Sequence, residues 1–146
     1  MRWSVIAVGK PSLSWAKQGI SDYLDRLAKT GRVECIYIRD GTPAQVTQRM
    51  LAASEGSLRV LLDERGKSHR SLQLAEWIKA REMEGCKHVS LLIGGANGHS
   101  VEMHETVKER WTLSTMTLQH ELALVVLLEQ LYRAYSILRG EPYHRE

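Results

Sequence analysis

No stretch of the 146-residue sequence approaches the roughly 20 consecutive apolar residues that a membrane-spanning helix needs. The opening, "RWSVIAVG", lacks the basic, apolar, small-residue order of a secretory signal. Cysteine is scarce. Cys35 and Cys86 stand far apart, which excludes a disulfide framework or a cysteine metal cluster and fits a reducing cytoplasm, with two buried thiols. His69, His88, His99 and His104 have no ligand spacing such as H-E-x-x-H, so no metal site is expected. Charge of one sign is also in small excess. A net charge of +3 and an isoelectric point near 9.0 permit a polyanionic partner without requiring one. Internal repeats, low-complexity tracts and linkers are missing, so residues 1–146 read as one domain.

What is present alternates between apolar runs and helical patterns. "WSVIAVG" (Trp3 to Gly9) reads as a buried strand. In "SWAKQGISDYLDRLAKTG" an apolar stripe of Trp15, Ile20, Tyr23, Leu24 and Leu27 predicts a helix, capped by Ser14 and ended by Gly31. "VECIYI" is a second strand. In "GTPAQVTQRMLAASEG", Thr42 is an N-cap, Pro43 opens the helix and Gly56 closes it. "LRVLLD" (Leu58 to Asp63) is a third strand and "ERGKSHR" a polar loop. "SLQLAEWIKAREMEG" is a helix with Leu74, Ala75 and Ile78 on one face and Gly85 at its end. "HVSLLIGG" is a fourth strand, "SVEMHETVKERW" a short helix, and "WTLSTMTL" a fifth strand or extended segment before the last helix.

This alternation predicts an α/β fold with a mostly parallel sheet flanked by helices. Ligands of such sheets bind beyond the carboxyl ends of the strands, so "DERGKSH", "GGANGHS" and "TLQH" are the candidate site loops. The last helix is apolar on every side from Leu122 to Leu128, a pattern of complete burial. Packing against a second copy of the chain would achieve it, as would a central core position.

The individual motifs carry two readings each. The glycines of "GGANGH" allow close approach of a ligand or serve a tight turn; the run is neither G-x-G-x-x-G nor a P-loop. His120 is a helix-start residue or a site residue. Glu129 and Arg133, four apart on one helix face, form an internal ion pair or the polar edge of a substrate site. The ending Tyr143-His144-Arg145-Glu146 is a charged tail or, stiffened by Pro142, a docked segment with the chemistry to stack on a base and hold phosphate.

"LLIGGANGHS", "LSTMTLQHEL", "LLEQLYRAYSILRGEPYHRE", "AVGK" and "GISDYLDRL" together resemble the RlmH (formerly YbeA) family of small SPOUT-class methyltransferases, essentially end to end. The resemblance implies a C-terminal trefoil knot, which ordinary chain rules would not suggest, and a homodimer. It implies methyl transfer from S-adenosylmethionine to N3 of a pseudouridine in the helix 69 loop of 23S rRNA, within assembled ribosomes. The cofactor residues carried over are Leu62, Gly94, Leu113, Ser114, Thr115, Met116, Thr117 and Leu118. The catalytic candidates near the target base are His120, Tyr143, His144 and Arg145, with Glu129 and Arg133 behind them. Two positions depart from the family pattern: Gln119 stands where a proline is usual, which is expected to loosen the loop, and Leu124 where an arginine is frequent.

The transfer needs the acceptor nitrogen aimed at the methyl carbon and relieved of its proton, so positioning, proton handling and exclusion of water fall to the protein. The competing class is a non-catalytic ribosome-binding factor that retains the fold; Gln119 and Leu124 are its support. Cofactor binding discriminates the two.

Overall fold

The computed structural model describes residues 1–145. Five strands, β1 (Arg2–Val8), β2 (Arg32–Ile38), β3 (Leu58–Ser68), β4 (His88–Ile93) and β5 (Arg110–Thr112), alternate with α1 (Ser14–Leu27), α2 (Pro43–Ala53), α3 (Ser71–Met83), α4 (Val101–Thr106) and α5 (His120–Leu138). The sheet runs β2-β1-β4-β3-β5, and every pair is parallel. No described helix is long and apolar enough to cross a membrane.

Side chains alternate across a strand, and here both faces are covered. Trp3 and Val5 of β1, Val60 of β3 and Leu91 of β4 point into a core roofed by α1, α3 and α5. Ile6, Leu61 and Leu92, their neighbours in sequence, enter a second core with Met50 of α2 and Met103 of α4. Two-sided burial explains why these strands read as continuous apolar runs rather than alternating ones.

Local signals place most helices. Thr42 accepts from the Gln45 N–H while the Gln45 side chain accepts from the Thr42 N–H, a reciprocal cap that starts α2 with Pro43 in its first position. Gly56, Gly85 and Gly140 adopt positive φ after α2, α3 and α5. The start of α1 departs from expectation. Ser14 is its first residue rather than its cap, and the cap position is Leu13, whose side chain bonds nothing there. The carboxylate of Glu121 supplies the acceptor instead, taking the N–H groups of Ser12 (2.8 Å) and Leu13 (3.0 Å). Trp15 lies outside the core, 51% exposed. Cys35 and Cys86 are half-buried, not buried, free thiols.

β3 differs most from the expected loop. Leu62 and Lys67 both pair with Trp111, so residues 63–66 are extra and leave the ladder as a bulge. Gly66 makes this possible: a Cβ there would fall 2.6 Å from the Trp111 carbonyl carbon. The short helix also ends earlier than its pattern predicts, because Val107 turns extended and enters the second core.

Candidate functional site

The three strand-end loops converge. The β3 bulge, the Gly94–His99 loop after β4 and the Leu113–Gln119 segment after β5 surround one cavity of about 700 Å³, closed by the start of α5. Leu62, Gly94, Leu113, Ser114, Met116, Thr117, Leu118 and His120 line it; Thr115 does not.

Each wall has a local cause. Gly95 and Gly98 form an antiparallel bridge that folds the β4 loop back on itself. Gly94 is held close to that turn: a Cβ on it would lie 2.9 Å from the Gly98 carbonyl carbon. After β5, Thr112 Oγ1 donates to the Ser114 carbonyl (2.6 Å) and accepts the Ser114 N–H (3.2 Å). Ser114 Oγ then accepts the Met116 N–H (3.0 Å). Thr117 Oγ1 donates to Glu64 Oε2 (2.7 Å), tying this segment to the bulge. The walls are thus apolar side chains interleaved with backbone turns, a suitable lining for a flat heterocycle with polar edges.

One rim of the cavity carries charge. His104 donates from Nε2 to Asp63 Oδ2 at 2.6 Å, and the Arg65 N–H reaches Asp63 Oδ1 at 2.9 Å. Burial pushes the Asp63 carboxyl up, but these two donors outweigh it and hold the group below its ordinary value. His99 donates to the Leu92 carbonyl (3.0 Å), and burial pushes its imidazole down. Sequence reading left Asp63 and His104 unconnected because 41 residues separate them; only the β3–α4 packing joins them. Among the described residues no group of three or more His, Cys, Asp or Glu side chains could hold a metal.

The two departures from the family pattern have structural roles. Gln119 Oε1 accepts the N–H groups of Glu121 (2.8 Å) and Leu122 (2.9 Å), so it caps α5 and fastens the loop that its presence was expected to loosen. With Oε1 so engaged, its amide nitrogen faces His120 Nδ1 at 3.4 Å. Leu124 is 2% exposed in the main core, pointing away from any surface where an arginine could meet RNA.

The tail lies elsewhere. Tyr143 donates to Glu129 Oε1 (3.3 Å), shares a hydrogen bond with Tyr23 Oη (3.0 Å) and stacks edge-on against Tyr132. Burial, the Tyr23 bond and the Glu129 charge all raise the Tyr143 phenol above its usual range. Arg133 donates to Glu129 Oε1 (2.9 Å) and, from Nη1, to His144 Nδ1 (3.2 Å). Of the two readings of the Glu129–Arg133 pair, the ion pair is present, and both partners also bond the tail. Arg145 is exposed, and Glu146 lies outside the described residues. His120 and Arg133 are separated by thirteen residues of α5, about 20 Å along the helix. One chain therefore does not bring His120 and His144 together.

A family model described as "Predicted SPOUT methyltransferase" matches residues 1–144. The chain belongs to the SPOUT methyltransferase family. Curated relatives called ribosomal RNA large subunit methyltransferase H span its full length. A Thermus thermophilus protein is 39% identical over 145 residues, covering 99% of each chain. The Polynucleobacter asymbioticus protein is 38% identical over 148 residues, covering 100% of each. Two solved structures share the fold at low identity. A methylase-family protein from Haemophilus influenzae has a TM-score of 0.56 at 11% identity, over 99% of this chain and 70% of that one. A Legionella pneumophila protein described as a methyltransferase, in complex with bound S-adenosylmethionine, has a TM-score of 0.50 at 12% identity, over 92% and 66%.

Proposed function

We propose that the chain is an S-adenosylmethionine-dependent methyltransferase of large-subunit ribosomal RNA. In finer detail, it methylates N3 of a pseudouridine in the helix 69 loop of 23S rRNA on assembled ribosomes, in the cytoplasm, as a homodimer. The observation that carries the reading is the convergence of three strand-end loops on one cavity, in a chain that matches named rRNA methyltransferases from end to end.

The residues present fit the cofactor. A volume near 700 Å³ lies within the roughly 300–1,000 Å³ of small-molecule sites. Leu62, Leu113 and Leu118 would enclose adenine, and the backbone around Gly94 and from Ser114 to Thr117 would bond its edge and the ribose. The bound cofactor supplies an electrophilic methyl on a sulfonium. The protein must then aim the acceptor nitrogen and stabilise the base as its imide proton passes to solvent. His144 Nδ1 accepts from Arg133, a group that only donates, so a neutral His144 carries its proton on Nε2. The Gln119 amide places the same restriction on His120. His120, on the cavity wall, therefore offers an Nε2–H donor to an imide oxygen, while His144 acts from the tail beside Tyr143, which packs on the base, and Arg145, which holds phosphate.

The half-buried apolar face of α1 and α5 supports the dimer. Trp15 is exposed on α1, and Leu122, Val125 and Val126 are only half-buried on α5. An antiparallel two-fold pairing through this layer would set the tail of one chain beside the start of α5 in its partner, making each site composite. A chain end that threads the loops around the cavity before α5, the trefoil knot, belongs to the same proposal.

Isothermal calorimetry with S-adenosylmethionine tests the reading. Saturable binding in the micromolar range supports the enzyme; no binding would leave a non-catalytic ribosome-binding factor. Gln119 and Leu124 do not favour that alternative, since the first caps α5 and the second fills the main core.

A further inference from the structure

We propose that His104 is a positioning residue that latches the Asp63–Gly66 bulge to α4 and so holds one wall of the cofactor pocket in place. The proposal rests on the reading of that cavity as the cofactor site. Residues 63–66 have no partner strand, since Leu62 and Lys67 share Trp111, and Glu64 and Arg65 are exposed. The sheet ladder therefore does not fix the bulge. Side chains do. The Asp63–Arg65 bond is internal to it. The Glu64–Thr117 bond joins it to a segment whose Met116 is itself 77% exposed. His104 alone among these three anchors comes from a helix secured in the core, through the neighbouring Met103. At 2.6 Å to an ionised carboxylate that only accepts, the bond is short and charge-assisted. His99 cannot substitute through Nε2, which is turned to the Leu92 carbonyl while its ring stands edge-on to His104. Among the described side-chain bonds, losing His104 would leave the bulge joined across the cavity by the exposed segment it supports, and both walls would loosen together.

Limited trypsin digestion reads the latch directly, because Arg65 and Lys67 flank the bulge's glycine. In the ligand-free chain, H104A should be cut after these residues about tenfold faster than wild type, and its affinity for S-adenosylhomocysteine should fall by about tenfold, as expected for losing one hydrogen bond to a charged group. H104Q, which can still donate to Asp63, should restore both. Should H104A lose its cooperative melt, D63A cuts the same bond from the other side, together with the internal Asp63–Arg65 bond, and should be cleaved at least as fast. Unchanged cleavage overturns the latch, and faster cleavage with unchanged affinity overturns its role in the pocket. A wild-type chain that does not bind S-adenosylhomocysteine overturns the cofactor reading instead, while the digestion still decides whether His104 holds the bulge.

Discussion

The carboxylate of Glu121, in the first turn of α5, accepts the backbone N–H of Leu13 at the entrance to α1. One side chain thus joins the starts of two helices that pack along each other, next to the cavity. Its 6% exposure is tolerable because Ser12 contributes a second N–H and a hydroxyl. The Leu13 bond leads, burial opposes it, the Ser12 bonds add, and the net effect holds the carboxyl below its ordinary 4.5. A depressed folded-state value means a contribution that is complete above the unfolded value and disappears as pH falls through the folded one. Glu121→Gln should therefore flatten the acid limb of a melting-temperature profile below about pH 4.5. A variant profile parallel to wild type would show that Glu121 is not linked to folding.

Gln119→Ala should cost about 1 kcal/mol of stability, the usual effect of removing a cap. Gln119→Ser can still cap, so it should restore stability but not the contact to His120. Urea denaturation separates the variants, and equal midpoints for wild type and alanine would remove the cap from the account.

Leu124→Ala should destabilise by about 3 kcal/mol through the cavity it leaves, with the activity per folded molecule retained. Leu124→Arg, which restores the residue frequent in the family, should be worse, because it buries an unpaired cation. A folded, fully stable Leu124→Arg chain would contradict the core position of this side chain.

These residues show where sequence patterns suffice and where they do not. Leu74, Ala75 and Ile78 were legible as a buried face because helical spacing is local, and the Thr42–Pro43 start because capping needs only adjacent residues. The convergence of the three strand-end loops was legible because a parallel sheet brings the ends of its strands to one edge. Trp15 was misread because its spacing fits the α1 stripe, whereas Ala16 takes the inward position. The bulge was read as a loop because nothing in "ERGKSH" announces that Lys67 will pair with Trp111. The Asp63–His104 bond and the Glu121 acceptor are products of tertiary packing between distant segments and leave no periodic trace. Of the two readings of the tail, the docked one matches Tyr143, which sits on the α1–α5 layer and not at the cavity of its own chain.

A composite site has a specific genetic signature. His120→Ala and a chain lacking Tyr143 to Glu146 should each reduce methyl transfer by about a hundredfold or more. Mixing them through partial denaturation and refolding should recover about a quarter of wild-type sites, since half the dimers are mixed and each holds one intact pair. Mixtures no more active than their components would mean that each site takes His120 and the tail from the same chain. In sedimentation, Val126→Asp should shift the protein to monomer or unfolded chain; a stable dimer would remove this face of α5 from the interface.

The most direct measurement is methyl incorporation from labelled S-adenosylmethionine into ribosomes that lack the native modification, followed by mapping of the modified nucleotide. The account predicts about one methyl group per large subunit, on N3 of a pseudouridine in the helix 69 loop, with far less on naked RNA fragments, because a net charge of +3 gives only weak phosphate binding. Ribosomes left unlabelled by a chain that binds the cofactor, or a methyl group mapped to another nucleotide, would contradict it.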